Sequence, residues 1–423
     1  MTIYLTSIGG SLAACFCFYL LRGKEFSLKN ILWVAYLVVL VVAAYLFIAK
    51  VIDRINHPAI WDFTAFYIYG KVAVSGANFY LPENYHQLYP SLQLPESFYQ
   101  ELSLEVLNVG FPYPPPTMLW FAPLALLPYK TSLICWSILN LFFVAGCIYL
   151  IYDQFFRKDK LNGLILVASL FFLFPPAKTT VSYSQTNFIL LFYLLMIRKY
   201  SDKKISGVFL ALAIFTKPYM VIFGLFLLLK KNWGAIITSI LGAVSLVGLA
   251  LLVFGKAPFL SYISDNPAHR LPRETFSEGI NQSLHAVLLR SGIINFDDSS
   301  AYMYIAGVIL VLTAVCLVFL IRKKLYDSIL AVLLLVALLL YPGTLNFYGA
   351  VLLIVIFQFF DDKSQLGFNQ YLNFFIIGIV YALSTYFLFS CLCFLLAIIV
   401  LRSTTLLDFI ELPLKKIKFE RRI

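Results

Sequence analysis

Apolar runs close to the length of a bilayer crossing recur along the whole chain, and that repetition narrows the possible folds more than any motif does. A helix needs about 20 apolar residues to cross the hydrocarbon, and fewer where it is buried among other helices. Runs of the full kind occupy 2–21, 30–50, 129–152, 161–177, 233–254, 301–321, 326–341 and 370–386. Shorter ones occupy 186–198, 205–216, 219–229, 347–360 and 388–401. Of 423 residues, 61% are hydrophobic and 13% charged, about half the charged share of a soluble domain. A soluble enzyme, a disordered chain and a secreted disulfide scaffold are excluded. The expected fold class is an all-α polytopic membrane protein with about 11–13 transmembrane helices and two loops outside the membrane. The first run lacks a preceding basic residue and a small-residue cleavage site, so it reads as a retained helix.

The formal net charge is +11, but the basic residues gather at the ends of apolar runs and not in a nucleic-acid-binding patch. Tracing thirteen crossings with the N-terminus outside puts most of them in the cytoplasm: Arg22/Lys24/Lys29, Arg157/Lys158/Lys160, Arg198/Lys199/Lys203/Lys204, Lys230/Lys231, Arg322/Lys323/Lys324, Lys363 and the tail. The positive-inside rule gives this orientation for a multi-pass protein of the cell inner membrane. Segments 205–216 and 219–229 are each too short to span alone, and one helix broken at Lys217–Pro218 is the other way to read them. The chain divides into N-terminal helices (1–50), a first extracytoplasmic loop (51–128), helices (129–254), a second loop (255–300), helices (301–401) and a basic tail (402–423) that meets anionic lipid. Residues 117–127, too short to span, are expected to lie in the interface. Trp61 and the tyrosines between 67 and 99 fit an interfacial belt. The seven cysteines fall inside apolar segments and read as core residues.

Polar groups at membrane depth are costly, and those that persist usually serve a site. Here they recur at turns that the thirteen-crossing trace puts on one side: Asp62, Tyr113 to Pro116, Ser182 to Asn187, Lys217-Pro218, Asn281 to Ser283, and Asn346 with Tyr348. A lone carboxylate in a wet loop, near cations and amides, suits a general base acting on a hydroxyl. Taking a proton from an acceptor as phosphate leaves a sugar carbon is a one-step displacement with inversion. It needs one base, not the two carboxylates of a glycosidase. Lys217, Arg270, Arg273, Arg290 and Asn281 offer partners for the phosphate. No phosphate-binding glycine loop, zinc signature or acidic cluster is present, so no metal or other cofactor is expected. Nucleotide sugars are absent outside the cell, so the donor would be tethered to lipid.

Read in order, these motifs resemble glycosyltransferase family 87 of the GT-C superfamily. Trp61-Asp62-Phe63 with Tyr67 and Tyr69, then Gly76, Tyr80 and Tyr113-Pro114-Pro115, carry the first part of the likeness. Ser184-Gln185-Thr186-Asn187 resembles the family's Gly-Gln-x-Asn turn, and Gly207 with Phe215-Thr216-Lys217-Pro218 its Gly…Ile-Lys-Pro segment. Asn281-Gln282-Ser283-Leu284 with Arg290 resembles its Asn-x-Ser…Arg stretch. The likeness covers roughly residues 50–360. It implies a GT-C bundle with Asp62 as catalytic base, and a polyprenyl-phosphate sugar, most often mannose, as donor. Known members add α-mannosyl units to lipid-linked glycans, so a glycolipid or lipid-linked glycan is the implied acceptor. Tyr113, Gln185, Asn187, Lys217, Arg270, Arg273, Asn281, Arg290, Asn346 and Tyr348 are the candidate substrate-binding residues. Phe347 and Tyr348 stand where the family carries paired histidines, Leu345 replaces its tryptophan, and Ser184 replaces a glycine. The competing readings are a transporter or flippase of lipid-linked glycans and a non-catalytic membrane assembly protein. For Asp62, the plain alternative is a helix cap or an ion pair with Arg54.

Overall fold

The structure, a computed structural model, describes residues 2–22, 29–58, 62–88, 92, 94, 111–264, 277–360 and 370–403. The regular structure of these residues is helical, as the apolar runs require, because a lipid-exposed backbone must satisfy its own polar groups. Helices form over all thirteen runs, among them Thr2–Arg22, Lys29–Asn56, Tyr129–Ile151, Trp233–Phe254 and Ser300–Arg322, the five long and apolar enough to cross a membrane. The chain is an all-α polytopic membrane protein.

Helix length sorts by position. The outer helices are long and keep apolar faces open: Ile237, Ile240, Leu241 and Val244 on Trp233–Phe254, and Val308, Leu312 and Val315 on Ser300–Arg322, are exposed. Inner legs are short. In Tyr326–Leu340 every residue from Ser328 to Leu339 is buried. At one end of the bundle, inner and outer helices are joined by short basic turns. There Lys230 Nζ meets Ser201 Oγ and Asp202 Oδ1, both at 2.7 Å, Asn232 Nδ2 donates to the Ser201 carbonyl at 2.9 Å, and Arg198 Nη2 pairs with Asp327 Oδ2 at 2.7 Å. Because the legs start flush, the difference in length falls on the far end. Ile205–Thr216 has 12 residues and Trp233–Phe254 has 22. At 1.5 Å per residue the inner leg stops about 15 Å short of its neighbour. The far end of the core is therefore recessed, and the polar turns lie in that recess.

The same contacts decide between the two readings of 205–229. Ile205 and Lys230 both lie at the basic end, whereas Lys217 reaches Tyr113 and Tyr348 at the other. Residues 205–216 and 218–229 thus run antiparallel as two legs around a turn at Lys217. A close crossing holds them to the next helix: a Cβ on Gly207 would lie 1.9 Å from the Ala235 carbonyl oxygen. No side chain fits there.

The segment after the second helix differs from expectation. Tyr67, Tyr69, Tyr80 and Tyr85 are buried and not arrayed in a belt; Trp61, Tyr89 and Tyr99 lie outside the described residues. With Phe63, Phe66, Phe79, Phe111 and Phe121, they build an aromatic core under a small cap that closes over the recess. Phe66 meets Phe121 at 4.5 Å between ring centroids, and Tyr80 Oη donates to the Tyr113 carbonyl at 2.5 Å. Residues 117–127 are likewise drawn inward: Met118 is buried, and Phe121 and Ala125 are buried against Phe63–Val74. Aromatic rings, which bury much area each, outweigh the interfacial preference of tyrosine when partners are available.

Gly207→Ala should cost about 2–3 kcal/mol by forcing two backbones apart. Thermal melting in detergent, alongside Gly248→Ala, where a Cβ meets nothing within 4 Å, checks it; equal melting of the two variants would contradict the close crossing.

Candidate active site

Asp62 begins the helix Phe63–Val74, and its carbonyl accepts from Phe66 N at 2.8 Å. A carboxylate there ordinarily caps the helix. This one makes no side-chain cap bond; its Oδ1 accepts a hydrogen bond from Gln185 Nε2. Nor is it taken up by Arg54, whose Nη1 donates to the His57 carbonyl at 3.0 Å. Both plain roles for Asp62 thus go unfilled. The backbone of Asp62 has φ 64° and ψ −101°, a region that L residues avoid at a cost of roughly 1–3 kcal/mol, and such residues gather at functional sites.

Gln185 is delivered by a strained turn. Ser184 has φ 50°, the left-handed conformation that glycine takes with least penalty. Its carbonyl accepts from Trp136 Nε1 at 2.7 Å, and Gln185 N donates to the Thr180 carbonyl at 3.0 Å. The Gln185 amide oxygen is buried and has no partner among the described residues.

Lys217 supplies the positive charge on another side. Proline at 218 disfavours helix at the preceding residue, and Lys217 is extended, with φ −148° and ψ 114°. Its side chain is 1% exposed. The ammonium lies 3.7 Å from the centroid of the Tyr348 ring and donates to Tyr113 Oη at 3.2 Å. Tyr348 is in turn stacked near Tyr219 and Tyr341, at 19° and 17° between planes. A buried ammonium with no carboxylate touching it is held by an aromatic face and a phenol.

The other candidates brace this end. Asn281 Nδ2 and Ser283 Oγ donate to the Pro342 carbonyl at 2.8 and 2.9 Å, and Asn281 bridges to Leu345 in antiparallel fashion. Arg290 Nη1 donates to the carbonyls of Glu278 and Asn281 at 2.8 and 2.7 Å. Asn187 Nδ2 donates to the Phe347 carbonyl at 3.0 Å, and Asn346 Nδ2 to that of Thr385 at 3.1 Å. Asn187 and Asn346 each keep an amide oxygen without a partner among the described residues. Arg270 and Arg273 lie outside the described residues. Among the described residues, no three His, Cys, Asp or Glu side chains converge as a metal site would need.

Burial pushes the Asp62 carboxyl up to about 7, while Lys217, Arg54 and the Gln185 hydrogen bond pull it back down. A carboxyl so tuned changes from acid to base near neutral pH, where proton transfer from a hydroxyl is most effective. In the sequence Arg54 reads only as a possible ion-pair partner of Asp62, because the second apolar run ends at residue 50. The helix continues to Asn56, which carries Arg54 to the carboxylate; one more turn of helical spacing past Lys50 was the available signal.

A half-buried carboxyl group, amides and a buried lysine thus meet at one end of a membrane bundle and make a polar site there. Residues 111–342, over half the chain, match the description of glycosyltransferase family 87, and the chain belongs to that family. The matched region contains Tyr113, Gln185, Asn187, Lys217, Asn281 and Arg290; Asp62, Asn346 and Tyr348 lie beyond it. A polyprenol-phosphate-mannose-dependent alpha-(1-2)-phosphatidylinositol pentamannoside mannosyltransferase from Mycolicibacterium smegmatis (strain ATCC 700084 / mc(2)155) is 28% identical over 152 residues, 34% of this chain and 35% of that protein. The chain thus matches about a third of that relative's length. No solved structure matches it.

If Asp62 acts as a base in its deprotonated form, the rate of transfer should rise with pH through about 7. Lys217→Met removes the larger electrostatic stabiliser of the carboxylate, so the acid limb should move to higher pH; a pH–rate profile of each protein checks this, and a limb that stays in place would contradict it. Ser184→Gly should leave the turn intact and raise stability by up to about 1 kcal/mol, read as a higher melting temperature.

Proposed function

We propose that this enzyme moves a mannosyl unit from a polyprenyl-phosphate donor to a hydroxyl of a glycolipid or lipid-linked glycan. The transfer inverts the anomeric carbon and takes place at the extracytoplasmic face of the inner membrane. The acceptor oxygen attacks the anomeric carbon as the bond from that carbon to phosphate breaks. The hydroxyl proton passes to Asp62, and polyprenyl phosphate leaves with the bonding electron pair. Basic side chains near Asp62 offset the charge that develops on the phosphate. The Gln185 amide holds the carboxylate with its nitrogen and offers its oxygen to a sugar hydroxyl.

The observation that carries this reading is the state of Asp62: half-buried, held by a single neutral amide, and flanked by cations that do not neutralise it by contact. A structural carboxylate would be capped or paired. The donor's identity rests on the family and on the name of the distant relative. The site's face follows from the distribution of basic turns, which gather at the opposite end of the bundle. Tyr113, Asn187, Lys217, Asn281, Arg290, Asn346 and Tyr348 shape or line the pocket in this reading, and Arg270 and Arg273, outside the described residues, stay candidates for the phosphate on sequence grounds.

The test is transfer from polyprenyl-phosphate mannose to a panel of glycolipids by the purified protein. Asp62→Asn, which keeps the shape and loses the base, should lower kcat by about 100-fold or more with melting unchanged. Undiminished transfer by Asp62→Asn would sink the proposal. Cysteine labelling from the cytoplasm at positions 62, 185 or 281 would overturn the orientation.

A further inference from the structure

Positive-φ backbone falls on different residue types at the two ends of the bundle. At the far end it falls on Gly76, Gly255 and Gly292, besides Asp62 and Ser184 of the site. At the basic end it falls on Lys160, Lys231 and Lys324, and among the described residues no glycine takes it there. An L side chain pays a steric cost in this region that glycine avoids. The contrast is sharpest where the motif is the same. Phe63–Val74 and Leu284–Arg290 are followed by a six-to-one closing bond around a glycine, Ala77 N donating to the Val72 carbonyl at 3.2 Å and Ile293 N to that of Leu288 at 3.0 Å. Phe223–Leu229 and Ser300–Arg322 close in the same way at the basic end. There Asn232 N donates to the Leu227 carbonyl at 3.0 Å and Leu325 N to that of Leu320 at 2.9 Å, around Lys231 (φ 56°) and Lys324 (φ 58°). Glycine is the usual residue at this position, so what holds lysine there is its side chain.

The protein itself does not use those two charges. Neighbouring cations are paired, Lys230 with Asp202, Arg198 with Asp327 and Lys199 with Asp153. Lys231 and Lys324 are exposed and have no carboxylate partner among the described residues. Orientation in the membrane needs only a count of basic residues near a helix end. Lys203, Lys204 and Lys230 beside one turn, and Arg322 and Lys323 beside the other, supply that count without positive φ.

Both turns stand at the rim of the hydrocarbon. Val221, Leu225 and Leu228 are exposed on the leg that leads to Lys231, and Val315 and Val318 on the helix that leads to Lys324. Trp233, two residues past Lys231, is 63% exposed, and indole prefers the level of the headgroups. Lys204 brings a further charge: its Cγ lies 2.8 Å from where a Cβ on Gly234 would stand. Lys230 links the two turns, its ammonium 5.3 Å from the ring centroid of Tyr326, two residues past Lys324.

We propose that Lys231 and Lys324, with Lys204 and Trp233, form a binding surface for anionic phospholipid in the leaflet at the basic end. The lipid phosphate meets the two left-handed lysines, and the acyl chains lie along the exposed apolar faces that lead to them. Contact with the phosphate offsets the backbone strain, which is why lysine stands where glycine would fold more easily. The surface is at the opposite end from Asp62 and does not depend on the transferase reading.

The experiment uses full-length protein in nanodiscs of phosphatidylcholine, alone or mixed with phosphatidylglycerol. In phosphatidylcholine alone, Lys231→Gly and Lys324→Gly should melt above wild type, because glycine relieves the turn. Phosphatidylglycerol should raise the melting temperature of wild type more than that of either glycine variant, and Lys231→Arg and Lys324→Arg should keep the wild-type response. A local readout comes from brominated lipids, which quench nearby tryptophan; the Trp233 signal is wild type minus Trp233→Phe. Brominated phosphatidylglycerol should quench it in preference to brominated phosphatidylcholine. That preference should fall by about fivefold in Lys231→Gly, the factor that one basic residue near an anionic surface is worth, and should weaken at high salt. Glycine variants that respond to phosphatidylglycerol as wild type does would overturn the proposal and leave the lysines to orientation alone. So would equal quenching of wild type by the two lipids. Inorganic phosphate added to phosphatidylcholine nanodiscs should not reproduce the rise in melting; if it did, the assignment to lipid would be wrong.

Discussion

The mismatch between inner and outer helix lengths is the constraint on which the rest depends. Hydrocarbon tolerates no unpaired backbone, so a leg that stops short needs protein around its end. Here the ends of the short legs are closed by one another. The Thr344 and Ile280 carbonyls accept from Gln282 N and Asn346 N at 2.7 and 2.9 Å, and the Phe215 carbonyl accepts from Thr117 Oγ1 at 2.5 Å. Those contacts fill the recess with backbone and polar side chains where lipid would otherwise enter. A carboxylate and an ammonium can then sit below the level of the flanking helices without facing the hydrocarbon.

Strain concentrates where the two halves of the site meet. Asp62 and Ser184 both hold left-handed backbone, and each carries one side of the contact between the carboxylate and Gln185. Held together by the Trp136 indole and the Thr180 carbonyl, the Ser184 turn is set rigidly. The site is thus built before substrate arrives, and less ordering remains for binding to impose.

Much of this was legible in the sequence. Each of the thirteen apolar runs is helical, because hydrophobic length is a direct consequence of bilayer thickness, whereas Phe63–Val74, Pro82–Leu88 and Leu284–Arg290 lie outside those runs. The gathering of Asp62, Tyr113, Gln185, Lys217 and Tyr348 at one end follows from alternation of crossings, and the contacts among these five bear it out. Less legible was the division between residues that face the site and residues that brace it. Asn281 and Arg290 spend their donors on main-chain carbonyls, and single-residue chemistry cannot distinguish an amide aimed at a sugar from one aimed at a loop. The buried tyrosines of the cap misled for a similar reason. Composition places tyrosine at an interface, and only tertiary contacts show that a private aromatic core was available. Arg54 was legible as a possible partner of Asp62 but not as a residue of the second helix, since helix length past the last apolar residue is weakly encoded.

The turn at Phe347 has a structural consequence. Its main-chain carbonyl is the hub that ties Thr180 and Asn187 to this turn, at 3.2 and 3.0 Å. Main chain is common to every residue type, so the tie does not depend on which side chain stands at 347. The side chains carry different loads: Phe347 packs on Tyr183, and the Tyr348 ring faces the Lys217 ammonium, so exchanging either would keep the main-chain hydrogen bonds and change the packing. With a phenylalanine and a tyrosine at this turn, rings face Tyr183 and Lys217 while the joint beneath them is made of main chain alone.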